Sequence, residues 1–248
     1  MAMISMNDFL TEVSQLNLPT FKDNKSTVWY NIPASFDIET SSFYENEIIS
    51  PENKRAIMYI WMFGIGDLVT YGRTWGELEI FLIALQAILE TDSNHRLVVY
   101  VHNLPYEWQF IRKRFKWDKV FLLEDRKPVK ARMGGIEFRC SLKLSGGKSL
   151  ANVGKDLQSH KVEKKVGDLD YSLIRTPLTP LTEKELGYCE YDIRVLNAYI
   201  SEKIEQDGNI SRIPLTNTGY VREYCRKACF RALEEISSYY GGVDYECG

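Results

Sequence analysis

Cysteine is scarce and follows no pattern. The five residues, Cys140, Cys189, Cys225, Cys229 and Cys247, are odd in number and irregularly spaced, with no Cys-x-x-Cys pair. That argues against a zinc ribbon and for free thiols in a reducing cytoplasm. A basic segment leading into an apolar run is missing from Met1–Leu10, so no signal peptide is expected there. Long hydrophobic runs are missing too: the richest, Ile57–Ile65 and Ile80–Leu89, are too short to span a bilayer. There is no excess of positive charge, with 31 Lys and Arg against 34 Asp and Glu and a net charge of -3. Tight nonspecific binding to duplex phosphates is therefore not expected, although a local basic groove remains compatible with an acidic protein. Internal repeats and low-complexity tracts are absent as well. What is present is ordinary globular material: 248 residues, 44% hydrophobic and 26% charged. A chain of this length buries roughly 70% of its unfolded surface.

The first thirty residues are polar and mixed, and read as a weakly determined segment. Ser35–Glu39 alternates apolar and acidic residues, which is strand periodicity. Ala56–Gly64 and Leu68–Tyr71 read as a hairpin turning at Gly66-Asp67. Thr74-Trp75-Gly76-Glu77 is a capping box that opens a helix to about Leu89, with Leu78, Phe81, Leu82, Leu85 and Leu89 facing inward. Leu97–Val101 is a buried strand, and Pro105 starts a helix through Phe115. Strands follow at Val120–Leu123 and Gly135–Cys140, with a short helix at Leu150–Leu157. Leu169–Pro180 reads as loop. Thr182-Glu183-Lys184-Glu185 is a second capping box, opening a helix to about Glu205 that ends at Asp207-Gly208-Asn209. A last helix spans Tyr220–Ser237 and stops at Gly241-Gly242. Hairpins followed by alternating strands and helices predict an α/β fold, a mixed sheet flanked by helices.

Three acidic elements carry the chemistry. Asp37-Ile38-Glu39 places two carboxylates on one strand face, with alpha carbons roughly 6–7 Å apart, while Phe36 and Ile38 face the core. Anions that close repel unless a cation lies between them. His102-Asn103-Leu104-Pro105-Tyr106-Glu107 follows a strand and enters a helix. Tyr188 and Asp192 are stacked at i and i+4 on a later helix. Each alone also fits ordinary structure: a solvated strand face, a carboxylate in a helix's first turn, a half-exposed helix.

Taken in order, the three resemble the exonuclease motifs of proofreading DNA polymerases. The Phe-Asp-Ile-Glu-Thr and His-Asn-Leu-x-Tyr-Glu wording is most similar to the protein-primed, bacteriophage-type family B DNA polymerases. The resemblance spans Phe36 to Asp192 and implies an RNase H-like (DnaQ-type) 3′–5′ exonuclease domain over residues 1–206. Residues 207–248 would then form a helical C-terminal extension leading toward a polymerase domain. It implies two Mg²⁺ or Mn²⁺ ions held by Asp37, Glu39 and Asp192, with Glu107 as the fourth acid acting through water. Tyr188 would orient the attacking water, since a phenol with a pKa of about 10 is a poor base. Such chemistry suits hard cations with oxygen ligands, set roughly 4 Å apart. Lys165 resembles the family's catalytic-site lysine, with Lys164 adjacent. Thr40, His102, Asn103 and Tyr106 would hold a single-stranded 3′ end, and Ser141-Leu142 resembles the family's primer-contacting Ser/Thr-Leu motif. Tyr239-Tyr240-Gly241-Gly242 resembles the Tyr-x-Gly-Gly motif that contacts template DNA. Partners implied are single-stranded DNA, a polymerase domain and a terminal protein, in the cytoplasm and not at a membrane.

Two departures follow from the residues. Glu107 stands where the family usually has Asp, moving the carboxylate by roughly 1 Å, a displacement that can cost about a hundredfold in rate. Trp108 replaces a small residue and is expected to crowd the cleft. The polymerase signatures Ser-Leu-Tyr-Pro and Asp-Thr-Asp do not occur. The expectation is thus a truncated chain, one part of a split polymerase or a free-standing exonuclease. The alternative function is a catalytically weakened binding or assembly subunit of a split polymerase.

Overall fold

The structure, a computed structural model, describes residues 3–45, 49–163, 170 and 173–239. The elements run α1 (Met6–Gln15), β1 (Thr20–Lys22), β2 (Val28–Tyr30), β3 (Ala34–Tyr44), β4 (Lys54–Ile65), β5 (Leu68–Gly72), α2 (Trp75–Ile88), β6 (His95–Val101) and α3 (Leu104–Ile111). They continue β7 (Lys119–Glu124), β8 (Lys127–Met133), β9 (Ile136–Cys140), α4 (Ser141–Leu144), α5 (Leu150–Asp156), α6 (Glu183–Asp207) and α7 (Asn217–Tyr239).

The strands form one mixed sheet in the order β5-β4-β3-β6-β9-β8-β7, with β2 also pairing β6 and β1 pairing β2. β3, β4 and β5 are an antiparallel meander, and β6 and β9 run parallel to β3. This is the predicted RNase H-like arrangement. Alternation on β6 shows the two layers: Leu97, Val99 and Val101 enter the core under α1 and α2, while Val98 and Tyr100 enter the one under α6. A strand covered on both faces is apolar at every position.

Both predicted capping boxes form, Thr74 with Glu77 and Thr182 with Glu185. The five inward residues predicted for α2 are all buried. The N-terminal segment is a correction. Ser5 caps α1, and Phe9 and Val13 are buried one turn apart, with Phe9 against Phe63 and Phe81 at 6.3 and 5.6 Å. Met6, Phe9, Leu10 and Val13 stand at i, i+3, i+4 and i+7, a helical stripe on the core that the polar composition of the segment obscured. β8 is a second addition. Val129, Ala131 and Met133 alternate inward with Lys130 and Arg132, but Pro128 at the strand start hid the pattern. α3 is shorter than expected and ends at Ile111.

Gly208 closes α6 in the left-handed conformation. The chain then turns back, burying Ile210 and Ile213 against Val98 and Tyr100. α7 starts three residues before the expected position. It is fixed at its base, where Tyr220 donates to Asp207 at 2.6 Å. Further along, Val221, Tyr224, Phe230 and Leu233 are exposed rather than folded back on the domain.

Candidate active site

β3 keeps strict alternation, so Ser35, Asp37, Glu39 and Ser41 share the face under α6. Asp192 on α6 faces them. One carboxylate oxygen from each of Asp37, Glu39 and Asp192 lies within 4.8 Å of the others. Among the described residues this is the only such group of His, Cys, Asp or Glu. The three are half-buried, and their acidities record it. Burial first, then Asp192, pushes Asp37 up to about 8. Burial raises Asp192 to about 6. Glu39 is raised well above the carboxylate range by burial and by both neighbours, with Arg175 opposing.

A β-bulge shapes the floor. The β3–β4 register pairs Glu39 with Ile60 but Thr40 with Met58, so Tyr59 is the extra residue. As a result Tyr59 and Ile60 both lie in the layer under α6, whereas Met58 and Trp61 lie in the opposite core. Bulges of this kind re-aim side chains beside active sites. The carbonyl of Tyr59 accepts from Arg73 Nε at 2.7 Å.

The second predicted motif forms the wall. Asn103 has a left-handed backbone (φ 75°, ψ 52°) and makes no side-chain bond to the helix it precedes. Glu107, in the first turn of α3, is 3% exposed, and its Oε2 is buried without a hydrogen-bond partner. Burial, then Asp37 and Glu39, raises its pKa well above the usual value. Glu107 therefore feels the cluster without belonging to the three-oxygen group. Tyr106 is 37% exposed, and its hydroxyl hydrogen-bonds Thr40 Oγ1 across the mouth. His102 Nδ1 pairs with Ser141 Oγ at 2.9 Å, and Ser141 is fully buried. Leu142 packs, partly buried, on the large core. Trp108 corrects an expectation: a helical step turns it away from the cleft, to pack with Ile111 and Ala131 and lie 4.8 Å from Trp117.

Tyr188 lies one turn before Asp192 and packs, partly buried, against the layer holding Tyr59, Cys189 and Ile193. Lys164, Lys165, Tyr240, Gly241 and Gly242 lie outside the described residues; Tyr239 is the last residue of α7. Arg175 is the residue that sequence reasoning missed. It sits in a segment with no periodicity, is 4% exposed, and bonds Glu185 on α6.

The donor set fits hard divalent cations: carboxylate oxygens only, converging from two elements, with one more buried carboxylate oxygen unpartnered nearby.

The backbone superposes on solved chains of phi29 DNA polymerase. In its ternary complex with primer-template DNA and incoming nucleotide, the match has a TM-score of 0.55 and 17% identity, covering 71% of this chain and 31% of that chain. In its complex with single-stranded DNA, the TM-score is 0.53 and the identity 16%, over 71% and 32%. An orthorhombic crystal form gives 0.54 and 16%, over 75% and 32%. The two share a fold. This chain spans about a third of the phi29 polymerase it matches, 31–32% of that chain. No family model matches the sequence, and no curated protein is significantly similar to it.

Proposed function

We propose that the chain is the 3′–5′ exonuclease module of a family B DNA polymerase, removing 3′-terminal nucleotides from single-stranded DNA during replication. The observation that carries the reading is the convergence of Asp37, Glu39 and Asp192, three raised-pKa carboxylates whose oxygens lie within 4.8 Å. Among the described residues, the one cation acting on them is Arg175, on Glu39. Strongly perturbed groups gathered in one place mark functional sites. The fold shared with phi29 DNA polymerase, a protein solved with primer-template and single-stranded DNA, supports the substrate class.

Asp37, Glu39 and Asp192 would hold one or two Mg²⁺ or Mn²⁺ ions. Bound there, divalent cations neutralise charge on the scissile phosphate and make water acidic enough to attack it. The rest is the work of side chains. Glu107 offers its free Oε2 to a water at the cluster's edge. Tyr188 orients the attacking water through its hydroxyl, and Lys165 would, as the family resemblance implies, supply positive charge to the reaction. The ring of Tyr106 supplies a stacking surface for a terminal base, and its bond to Thr40 closes the mouth behind that base. His102 and Asn103 grip the strand; Ser141, fully buried, acts by holding His102, and Leu142 supports it from the core. Tyr239, Gly241 and Gly242 would contact template DNA. The exposed Val221, Tyr224, Phe230 and Leu233 of α7 support docking to a polymerase domain. A terminal protein belongs to the same replication scheme. Among the described residues no helix is long and apolar enough to cross a membrane.

The test is degradation of a 5′-labelled single-stranded DNA with Mg²⁺ or Mn²⁺, beside the double variant Asp37→Ala, Glu39→Ala. A 3′-shortening ladder that vanishes in the variant is expected. No ladder from a wild-type chain that binds Mn²⁺ would instead make it a binding or assembly subunit. Preference for a matched RNA would make it a ribonuclease.

A further inference from the structure

β3 and α6 carry the acidic cluster between them, and like charges there push the two elements apart. They are tied at both ends of the cluster. At one end Ser35 Oγ donates to the carbonyl of Ile193, next to Asp192, at 3.4 Å. At the other end stands Arg175. Its backbone N–H donates to Ser41 Oγ at 2.8 Å, two residues beyond Glu39 on the same β3 face. Its Nε and Nη2 both donate to Glu185 Oε1, at 2.8 and 2.6 Å. Glu185, Tyr188 and Asp192 are spaced i, i+3, i+7, so they line one face of α6.

The tie is built rather than incidental. Glu185 divides its two oxygens: Oε2 completes the capping box with the N–H and hydroxyl of Thr182, both at 2.8 Å, and Oε1 is left for Arg175. Nη1 of Arg175 donates to the carbonyls of Asp170 and Leu173, at 2.7 and 3.3 Å. The guanidinium lies over the ring of Tyr59, 5.8 Å from its centroid, which is the bulged residue of β4. Arg73 holds the following loop from below, donating to the carbonyls of Thr176 and Thr179 at 3.1 and 2.6 Å. A buried arginine fork with four of its five N–H groups bonded is held in one geometry, so it fixes distance as well as charge.

We propose that Arg175 is a positioning residue of the acidic site. Through Ser41 and Glu185 it holds the β3 carboxylates and the Tyr188–Asp192 face of α6 at the separation a shared divalent cation requires. The inference rests on the proposed exonuclease reading and names a residue outside the group of three carboxylates.

The experiment measures Mn²⁺ binding to the DNA-free chain by electron paramagnetic resonance, alongside thermal melting and the nuclease assay. The variants are Arg175→Met, Arg175→Lys and Glu185→Gln, with Arg139→Met as a control for destabilisation far from the site. Supporting results are a drop in Mn²⁺ affinity of about 10–100-fold in Arg175→Met, with kcat falling and KM for DNA unchanged. Arg175→Lys should recover only part of this, because it keeps the charge but loses the fork. Arg139→Met should melt earlier yet bind Mn²⁺ like wild type. If Arg175→Met does not fold, Glu185→Gln, whose one remaining acceptor oxygen cannot serve both Thr182 and Arg175 and which loses the charge that pairs with Arg175, decides by the same readout. Wild-type Mn²⁺ affinity in a folded Arg175→Met or Glu185→Gln overturns the positioning role and leaves the exonuclease reading standing. A wild-type chain that binds no Mn²⁺ overturns both.

Discussion

Glu137 on β9 and Asp37 on β3 are carboxylates two strands apart on one sheet, and their surroundings pull them in opposite directions. Glu137 is 1% exposed. Arg139 bonds it through Nε at 2.8 Å and Nη2 at 2.7 Å, with Arg96 at 3.6 Å and Lys130 at 3.7 Å. Burial alone would raise its pKa, but Arg139, Lys130 and Arg96 together outweigh burial and bring it below the usual value. Asp37 has Asp192 and Glu39 for neighbours, and burial and Asp192 drive it up to about 8. A buried charge with matched cations is architecture: Arg139 also reaches the carbonyls of Ile210 and Ile213, fastening the chain beyond α6 to the sheet. A half-buried acid among other acids destabilises the fold, and in the proposed reading a divalent cation held by the three carboxylates offsets that cost.

The widest gap between the two clusters should appear in stability. Arg139→Met leaves Glu137 buried without its nearest partner, and losing one member of a buried pair costs about 3–5 kcal/mol. Denaturant melts should show that loss, while nuclease turnover per folded molecule stays at the wild-type value. Asp37→Asn should do the reverse. Without divalent metal it removes the cost of burying Asp37, which burial and Asp192 hold protonated up to about pH 8, and raises stability by on the order of 2 kcal/mol. The nuclease rate should fall at least ~100-fold, since even supporting groups around metals cost 10–100-fold. A metal-free Asp37→Asn chain less stable than wild type would break the comparison.

The same contrast has a pH signature. Unfolded Asp titrates near 3.9, whereas folded Asp37 and Asp192 are raised to about 8 and about 6. Between these values the native state holds more protons than the unfolded state, so stability falls as pH rises. Metal-free melts should therefore lose stability from about pH 4 to about pH 8, Asp37→Asn should remove its own share of that slope while the shares of Asp192, Glu39 and Glu107 remain, and saturating Mg²⁺ should flatten it. A flat metal-free profile would mean that neither burial nor repulsion holds these acids protonated in the native state.

How much of this was legible in the sequence depends on the kind of regularity each feature has. The period of two put Asp37 and Glu39 on one face of β3, and the capping boxes located α2 and α6, because both are local rules. The meeting of Asp192 with Asp37 is not local; it followed from motif order through resemblance. Arg175 could not be read at all, since its partners Ser41 and Glu185 lie 134 and 10 residues away in the chain and nothing near it repeats. The bulge at Tyr59 was equally silent, because a skipped ladder position leaves the residues on either side apolar, as they are in any buried strand.

Glu107 gives the smallest expected effect and the sharpest boundary for the comparison. It is buried like Glu137 and repelled like Asp37, yet its oxygens are not part of the group within 4.8 Å. If it acts through water, removing its charge disturbs the attack but not the ion. Glu107→Gln should then lower the nuclease rate about tenfold, within the usual range for a supporting group. Mn²⁺ affinity should barely move, and the metal-free gain in stability should be smaller than for Asp37→Asn. Loss of Mn²⁺ binding in Glu107→Gln would instead make it a direct ligand. The extra methylene relative to aspartate would then be what lets α3 reach an ion already held between β3 and α6.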